Sequence, residues 1–587
     1  MGFNQDIASI LSEMADLLEL TGADRFRVNA HARSARIIKD LPTDLSTLAE
    51  DKKALTAIEG IGAKTAEKIM EFAREGAVYE HGELLTQVPR GLLEVLKIQG
   101  LGPKTVRVFW QDKGIESIDD LKEAIANDAL SDLPRMGQKT IANIYDGIEF
   151  LETTRGRTPL GQAMPVAESI VKTLADFDCV DRVEYAGSLR RGEETIGDID
   201  ILVSTRDAQK VTEAFVGMDG VQKILAKGET KSSVRFSWRG TLIQVDLRIV
   251  QAPAFGAALL YFTGSKDYNV RLREIAIKKN LTLNEYGLFP DDGSEQSSPQ
   301  SRGVKPIASK TEAEIFEAIG APARPPELRA GTHVEDPPPA GLITLADICA
   351  ELHAHTTASD GRLSMQELAE CAMARGFHTI AVTDHSQAAT IANGLSPERL
   401  RKQIKKIKEV NERIDGITLL AGSEVDILPD GTLDFDDDLL AELDVVVASP
   451  HLALKQSPSD ATKRLMKAIE HPLVHIIGHP CGRLVGSREG LSPDIHALCE
   501  AAAANETALE INANWHRLDL RDTHVRIAME AGALIAIDCD VHREQGFDNL
   551  RFGVVTGRRG GLTAERCVNT WDETRLHAWL RSKRESG

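Results

Sequence analysis

The chain has 587 residues, 42% of them hydrophobic and 27% charged, and a formal net charge of −20. That composition is globular, and the length exceeds what one ordinary core can hold, so about three or four domains are expected. Residues 1–340 and 341–587 each carry a net charge of −10; this excludes a bulk basic module, so any nucleic-acid contact must come from backbone amides, placed Lys/Arg and metals. The longest apolar runs fall short of a bilayer span. The start "MGFNQDIASILSEM" has no basic n-region or apolar h-region, and the seven cysteines form no C-x-x-C pair. A reduced, cytoplasmic chain with no membrane segment is expected.

Residues 5–50 read as amphipathic helices, followed by "ALTAIEGIGAKTAEKIMEFAREG". A related unit recurs at 96–110, "LKIQGLGPKTVRVFW", and a degraded third at 133–143 carries Arg135 where the first glycine belongs. The Gly-x-Gly turns sit between helices, not after a strand, which argues against a dinucleotide site. Such a turn aims backbone N–H groups and a helix N-terminus at a phosphate; the plain alternative is a tight helical hairpin. The first two copies resemble the helix-hairpin-helix motif of DNA repair proteins, which implies DNA contacts at Gly60, Gly62, Lys64, Gly100, Gly102 and Lys104.

From about residue 150 the pattern turns β-rich, and "GSLRRGEETIGDID" spans 187–200. Asp198 and Asp200, two apart on a strand, face one way. Asp246 arrives in "QVDLRIV" among apolar residues, where a lone charge is costly. Three converging acids require cations, and Mg²⁺ or Mn²⁺ suits all-oxygen ligation beside a nucleotide phosphate. Gly187, Ser188 and Arg191 can then grip a triphosphate. The pattern resembles nucleotidyltransferases of the DNA polymerase beta type, and the match extends to "YFTGSKDYNVRLR" at 261–273. The resemblance implies that Tyr261, Phe262 and Gly264 line the nucleotide site, with Asn269 at the base edge and Arg273 on the template strand. By the same resemblance Lys68 matches the lysine that forms a Schiff base in the deoxyribose-phosphate lyase; a plain phosphate contact remains the alternative.

The stretch 322–340, "PARPPELRAGTHVEDPPPA", reads as a proline-rich linker. Beyond it, short β runs alternate with helical segments over about 240 residues, which argues for a β/α barrel with its chemistry at the C-terminal ends of the strands. Thirteen of the 16 histidines lie here. His353, His355, Asp360, His385, Glu424, His451, His479, Asp540 and His542 are the candidate ligands, a mixed N/O set suited to Mn²⁺, Zn²⁺ or Fe²⁺. His378, His471, His475, His496, His516, His524 and His577 read as core residues, Asp538 as either an extra carboxylate or, in preference, a loop acid, and Arg483 of "GHPCGR" as a charge stabiliser. The segment resembles the PHP domain, a distorted β/α barrel that holds up to three metals.

Taken together, the chain resembles bacterial family X DNA polymerases with a C-terminal PHP domain. The expected architecture is multidomain. A helical lyase-like region (1–80) and a second helix-hairpin-helix subdomain (81–155) precede an α+β nucleotidyltransferase palm (156–250). A small nucleotide-selecting subdomain or thumb (251–321), the linker (322–340) and a PHP barrel (341–580) follow. The resemblance implies a DNA-directed DNA polymerase for short repair gaps with a metal-dependent 3′–5′ exonuclease, and activity at abasic sites in some members. Gapped or primed DNA and dNTPs are the expected partners of a monomer. The rival readings are a polymerase fused to a small-molecule phosphatase, and a non-catalytic DNA-end scaffold.

Overall fold

The computed structural model describes residues 3–40, 45–58, 60–98, 101–134, 136–138, 140–142, 144–145, 147–148, 156–291, 299–331 and 333–585. The chain forms two compact units, Met1–Gly156 with Ser237–Leu242, and Arg157–Phe236 with Ile243–Gly587. No helix among the described residues is long and apolar enough to cross a membrane.

The first unit is helical, and its elements include α1 (Phe3–Leu20), α2 (Arg25–Asp40), α3 (Ala63–Glu75) and α4 (Pro103–Lys113). Their apolar stripes meet in one core: Leu11, Met14 and Leu18 from α1, Ala66 and Ile69 from α3, Val106 and Phe109 from α4. In both Gly-x-Gly turns the middle residue, Ile61 or Leu101, is buried, and the second glycine, Gly62 or Gly102, is the N-cap of the helix that follows. Gly60 has φ +86°, a left-handed backbone conformation that favours glycine, and a Cβ there would also push on Ile37 Cδ1 at 2.0 Å. Gly100 and Arg135 lie outside the described residues.

The second unit begins with α5 (Leu160–Ala175) and a five-stranded mixed sheet. Its strands are β1 (Val180–Tyr185), β2 (Asp198–Thr205), β3 (Val221–Lys227), β4 (Lys231–Trp238) and β5 (Thr241–Val250), in the order β1-β2-β5-β4-β3. The parallel pairing of β2 with β5 sets Asp200 opposite Asp246. Helix α6 (Phe255–Thr263) covers one face of the sheet, with Phe255, Ala258 and Leu259 against Ala186 and Leu202. A small subdomain of α7 (Lys266–Ile277), α8 (Glu312–Ile319) and the hairpin of Leu281–Asn284 with Gly287–Pro290 follows.

The proline-rich stretch is not slack. Val334 is fully buried in the core of this subdomain with Phe316 and Leu272, and the buried Arg329 pairs with Glu312 on α8. Composition alone reads prolines as spacing and misses anchors of this kind between them.

Next comes a seven-stranded parallel sheet in sequential order: β6 (Ala350–Glu351), β7 (Thr379–Val382), β8 (Thr418–Asp426), β9 (Val445–Ser449), β10 (Ile476–Ile477), β11 (Ala508–Asn512) and β12 (Leu534–Asp538). Ala354, just past β6, bridges in parallel to Val541, just past β12, bringing the first and last strands together. Alternate residues divide the strands, as the two-residue period requires. Ile380, Val382, Val446 and Ile535 pack with the surrounding helices, whereas Ala381, Leu420, Val445 and Ala536 point inward. The inward set is sealed at one end by the last helix, α10 (Glu573–Glu585), through Leu576, Trp579 and Leu580, with Trp571 beside them. At about 1.5–3 kcal/mol for each fully buried large apolar side chain, this plug stabilises the barrel from below. The preceding helix, α9 (Leu550–Gly560), lies on the outside.

Candidate active sites

At the palm, Asp198 and Asp200 share a face of β2, and Asp246 stands beside Asp200 on β5. The three expected acids are thus brought together. Burial, and then the nearby Asp198, push the Asp200 carboxyl up to about 6. Burial would raise Asp246 too, but hydrogen bonds from Lys231, Gln244 and Ser233 outweigh it and hold that carboxyl below its usual range. Lys231 Nζ lies 2.6 Å from Asp246, and Arg248 Nε lies 3.7 Å from Asp200. Neither cation was anticipated from sequence. The donor set is all oxygen, and three carboxylates against two side-chain cations leave a net negative charge, so it fits a divalent metal.

The turn that follows β1 approaches this cluster closely. Gly187 has φ +64°, and a Cβ there would lie 2.7 Å from Asp200 Oδ2. The paired arginines divide their work. Arg190 binds Glu312 on α8, at 2.9 Å for each of two bonds, and Thr263 Oγ1 at 2.7 Å. Arg191 donates to the Thr263 carbonyl at 2.5 Å and to Glu193 at 3.0 Å, with its Nη1 beside Gly264. Ser188 lies in the same one-turn helix, Gly187–Arg190. Tyr261, Asn269 and Arg273 line one cleft with Leu283 and Asn284. Within it Asn269 Nδ2 donates to the Tyr261 carbonyl at 2.6 Å, and Arg273 is exposed. Phe262 lies under the Arg248 guanidinium, 4.2 Å from its ring centroid, which links the cleft to the acids.

In the first unit, Lys64 and Lys104 are exposed beside the two turns. A Cβ on Gly62 or Gly102 would meet nothing within 4 Å, and neither has a positive φ. Packing of the chain itself therefore does not demand these two glycines. Lys68 is buried, and its Nζ forms an ion pair with Glu80 at 2.6 Å; Arg27 binds the same carboxylate. Burial would raise Glu80, but Lys68 and Arg27 hold it down to about 2.

The nine expected ligands of the barrel gather at its open end. One ligand-type atom from each residue lies within 4.8 Å of the others in three overlapping sets: His355, Asp360, His385 and His542; His353, His355 and Asp540; His385, Glu424 and His451. His479 joins none of these sets, but its Nε2 lies 2.9 Å from Glu424 Oε1. Pro450 ends β9 at Ser449, and His451 reaches Glu424 at 3.2 Å. Burial would raise the Glu424 carboxyl, yet His451, His385 and His353 hold it well below the usual range. His355 is driven down to about 4 by burial and by His542 and His385. The buried His353 Nε2, both ring nitrogens of His355 and His479 Nδ1 make no hydrogen bond. Burial holds His355 and His479 neutral, with free ring nitrogens beside the ionised Glu424 and Asp540; that mixed N/O donor set is what transition-metal ligation requires, so the residues fit the group.

Two carboxylates behind the cluster escaped sequence reading. Glu510 on β11 accepts from His353 Nδ1 at 2.6 Å, and Asp426 lies 3.1 Å from His451 Nδ1. Such partners fix the tautomer and aim of a ligating imidazole. Asp426 repeats the x-D-x-D parity, two residues past Glu424, and could have been found; Glu510 hides in the apolar run "ALEIN".

Other expectations are corrected. Asp538 is no loop acid: it ends β12 fully buried and accepts from Leu352 N and Asn569 Nδ2, each at 2.7 Å. Arg483 is bonded to Glu194 of the palm at 2.5 Å. The guanidinium at the cluster is that of Arg517, with Nε 3.8 Å from Asp540. His475 and His378 are hydrogen-bonded structural residues, as expected, whereas His496 and His516 are exposed.

Family models match in the order of the chain: a helix-hairpin-helix domain (3–78), a SAM-like helix-hairpin-helix tandem (92–149), the DNA polymerase beta palm (157–238) and thumb (258–330), and a PHP domain (351–514). The DNA polymerase/3′-5′ exonuclease PolX of Bacillus subtilis is 36% identical over 579 residues, covering 98% of this chain and 99% of that protein. DNA polymerase lambda of Rattus norvegicus is 26% identical over 348 residues, 56% of each chain. A probable phosphatase of Syntrophotalea carbinolica is 28% identical over 236 residues, 38% of this chain and 93% of its own length. Palm, thumb, tandem hairpins and PHP barrel, together with full-length identity to one relative, place the chain in the PolX family of DNA polymerase/3′-5′ exonucleases.

Proposed function

We propose that the chain is a DNA-directed DNA polymerase that fills short gaps during base excision repair, with a 3′–5′ exonuclease in its barrel. The carrying observation is the pairing of Asp200 with Asp246 on neighbouring strands, beside Asp198 and the Gly187 turn. Asp198, Asp200 and Asp246 would hold Mg²⁺ or Mn²⁺, which supplies Lewis acidity and charge neutralisation for phosphoryl transfer. Ser188 and Arg191 steady the triphosphate and the departing pyrophosphate. Tyr261, Phe262 and Gly264 bound the sugar, Asn269 meets the base edge, and Arg273 the template. Gly60, Gly62 and Lys64, with Gly100, Gly102 and Lys104, let DNA phosphates approach the backbone; the open space over Gly62 and Gly102 supports that role.

In the barrel, the nine His, Asp and Glu side chains would hold up to three Mn²⁺, Zn²⁺ or Fe²⁺ ions, and Arg517 would face the terminal phosphate. Asp198→Ala with Asp200→Ala is expected to abolish nucleotide incorporation and spare exonuclease activity; His353→Ala with His355→Ala is expected to do the reverse. Loss of both activities in either double mutant on a primer-extension gel would refute two separate sites.

Lys68 is the lyase nucleophile in this reading, and Glu80 is the partner that must release it. Borohydride trapping on 5′-deoxyribose-phosphate DNA, wild type against Lys68→Ala, tests it. We read the protein as a cytoplasmic monomer acting on gapped or primed DNA and dNTPs. The match to a probable phosphatase supports a second reading, in which the barrel cleaves small phosphoesters. Comparing release from a 3′-labelled oligonucleotide with release from a simple phosphomonoester separates the two.

A further inference from the structure

We propose that the PHP barrel is a working part of the polymerase: Arg559 and Arg483 on the barrel position the palm turn that carries Arg191. The proposal rests on the reading of Arg191 as a triphosphate contact.

The turn from Gly187 to Glu194 is held from two sides. On one side its own domain holds it through Arg190, which binds Glu312 and Thr263, and through Arg191, which binds the Thr263 carbonyl. On the other side the barrel holds it. Arg559 of α9 donates from Nη1 to the Arg191 carbonyl at 2.7 Å. The rest of that guanidinium is fixed by Asp522, at 2.9 Å from Nε and 2.8 Å from Nη2, with Glu193 at 4.0 Å. One turn earlier on α9, Val555 packs on Gly192, where a Cβ would lie 2.1 Å from Val555 Cγ1. The buried Arg483 pairs with Glu194 at 2.5 Å. Glu194 is four residues ahead of Asp198, so the held segment runs from the triphosphate turn almost to the first carboxylate.

Flanking contacts make the docking specific. Trp515 lies on Gly161 of α5, leaving 2.1 Å between a Cβ there and the indole Cγ, and Arg551 pairs with Glu168 at 2.9 Å. Arg558 pairs with Glu327 at 2.8 Å. Charge-assisted bonds of this kind hold geometry, and with Arg559 and Arg483 themselves buried, a missing partner is costly. A turn of eight residues rich in glycine and charge has little core of its own; the barrel supplies the missing wall. Arg559 touches no reacting atom, so its removal should loosen nucleotide binding and leave the chemical step alone.

The test is single-nucleotide incorporation by the full-length protein on one-nucleotide-gapped DNA across a dNTP titration, with exonuclease rate on a 3′-labelled strand measured in parallel. Arg559→Ala is expected to raise the KM for dNTP about tenfold, with kcat within about twofold and exonuclease unchanged. Arg559→Gln keeps an N–H donor and should recover part of the loss. Glu194→Gln takes the charge out of the Arg483 pair from the palm side without altering the barrel, and should raise KM in the same direction. Unchanged KM in Arg559→Ala and Glu194→Gln overturns the proposal. Should Arg559→Ala also lose exonuclease activity through a damaged barrel, Glu194→Gln decides alone: raised KM supports the brace, unchanged KM overturns it. Arg191→Ala is the reference: if its KM stays at the wild-type value, the site reading fails and the proposal with it; if its KM rises while the brace variants stay normal, the brace alone fails.

Discussion

Replacing Glu312 with Gln tests the electrostatic account of how the small subdomain is attached to the palm. Glu312 is mostly shielded from water and accepts from two guanidiniums, Arg190 of the nucleotide turn and Arg329 of the proline-rich stretch. Burial alone would raise its carboxyl, but the two arginines outweigh burial and hold it down to about 2, against an ordinary value of 4.5. At 1.36 kcal/mol per unit, the ionised form is favoured by roughly 3 kcal/mol in the folded state. Because the folded value lies below the unfolded one, this stability is complete above about pH 4.5 and is lost as pH falls toward 2. Glu312→Gln should remove it at neutral pH, leaving the buried Arg329 and half-buried Arg190 guanidiniums without their shared carboxylate. Amide exchange in Glu312–Ile319 should then quicken by about two orders of magnitude at pH 7, and the variant should show little further loss on acidification to pH 3. An acceleration below about threefold would refute the reasoning, because it would mean that the ion pairs contribute no more than an exposed pair does.

Three further outcomes follow from the sites. Asp200 is pushed up to about 6 by burial and then by Asp198, so in the metal-free protein its ionisation costs stability as pH rises from about 4 through 6. Mg²⁺ should therefore raise the Tm more at pH 7.5 than at pH 5.5, and Asp200→Asn should remove that difference; equal Mg²⁺ shifts in wild type would refute it. Glu510→Gln should weaken Mn²⁺ binding by about 10- to 100-fold, read by calorimetry, because His353 loses the carboxylate that orients it; an unchanged affinity would refute the orienting role. Gly62→Val with Gly102→Val should lower affinity for gapped DNA about tenfold or more with Tm unchanged, because the described chain leaves the space above these residues open. A Tm drop with unchanged DNA affinity would show that the glycines serve packing instead.

The two metal-type clusters were legible because their spacing is a statement about geometry. Asp198 and Asp200, or His353 and His355, must share a face once they lie on extended chain. What escaped depends on tertiary direction. Arg483 stands four residues after His479, and proximity in sequence suggested a shared site. Gly482, with φ +60°, turns the chain between them, and the side chain leaves for the palm. Glu510 and Asp538 sit within apolar runs where period-two arguments predict only core, and their partners come from strands far away in sequence. The proline-rich stretch misled for a similar reason: Arg329 and Val334 are two residues among nineteen, and only the subdomain's core shows why they matter.

The barrel's indole-filled floor has a further consequence. With Trp571, Trp579, Leu576 and Leu580 packed against Ala381, Leu420, Val445 and Ala536, the interior is filled core, and the ligand cluster lies at the other end of the strands. A nucleic-acid strand cannot be threaded through it. A strand meets the cluster from outside that end, so the loops just past the strands, which carry His385, His451, His479 and His542, shape its approach.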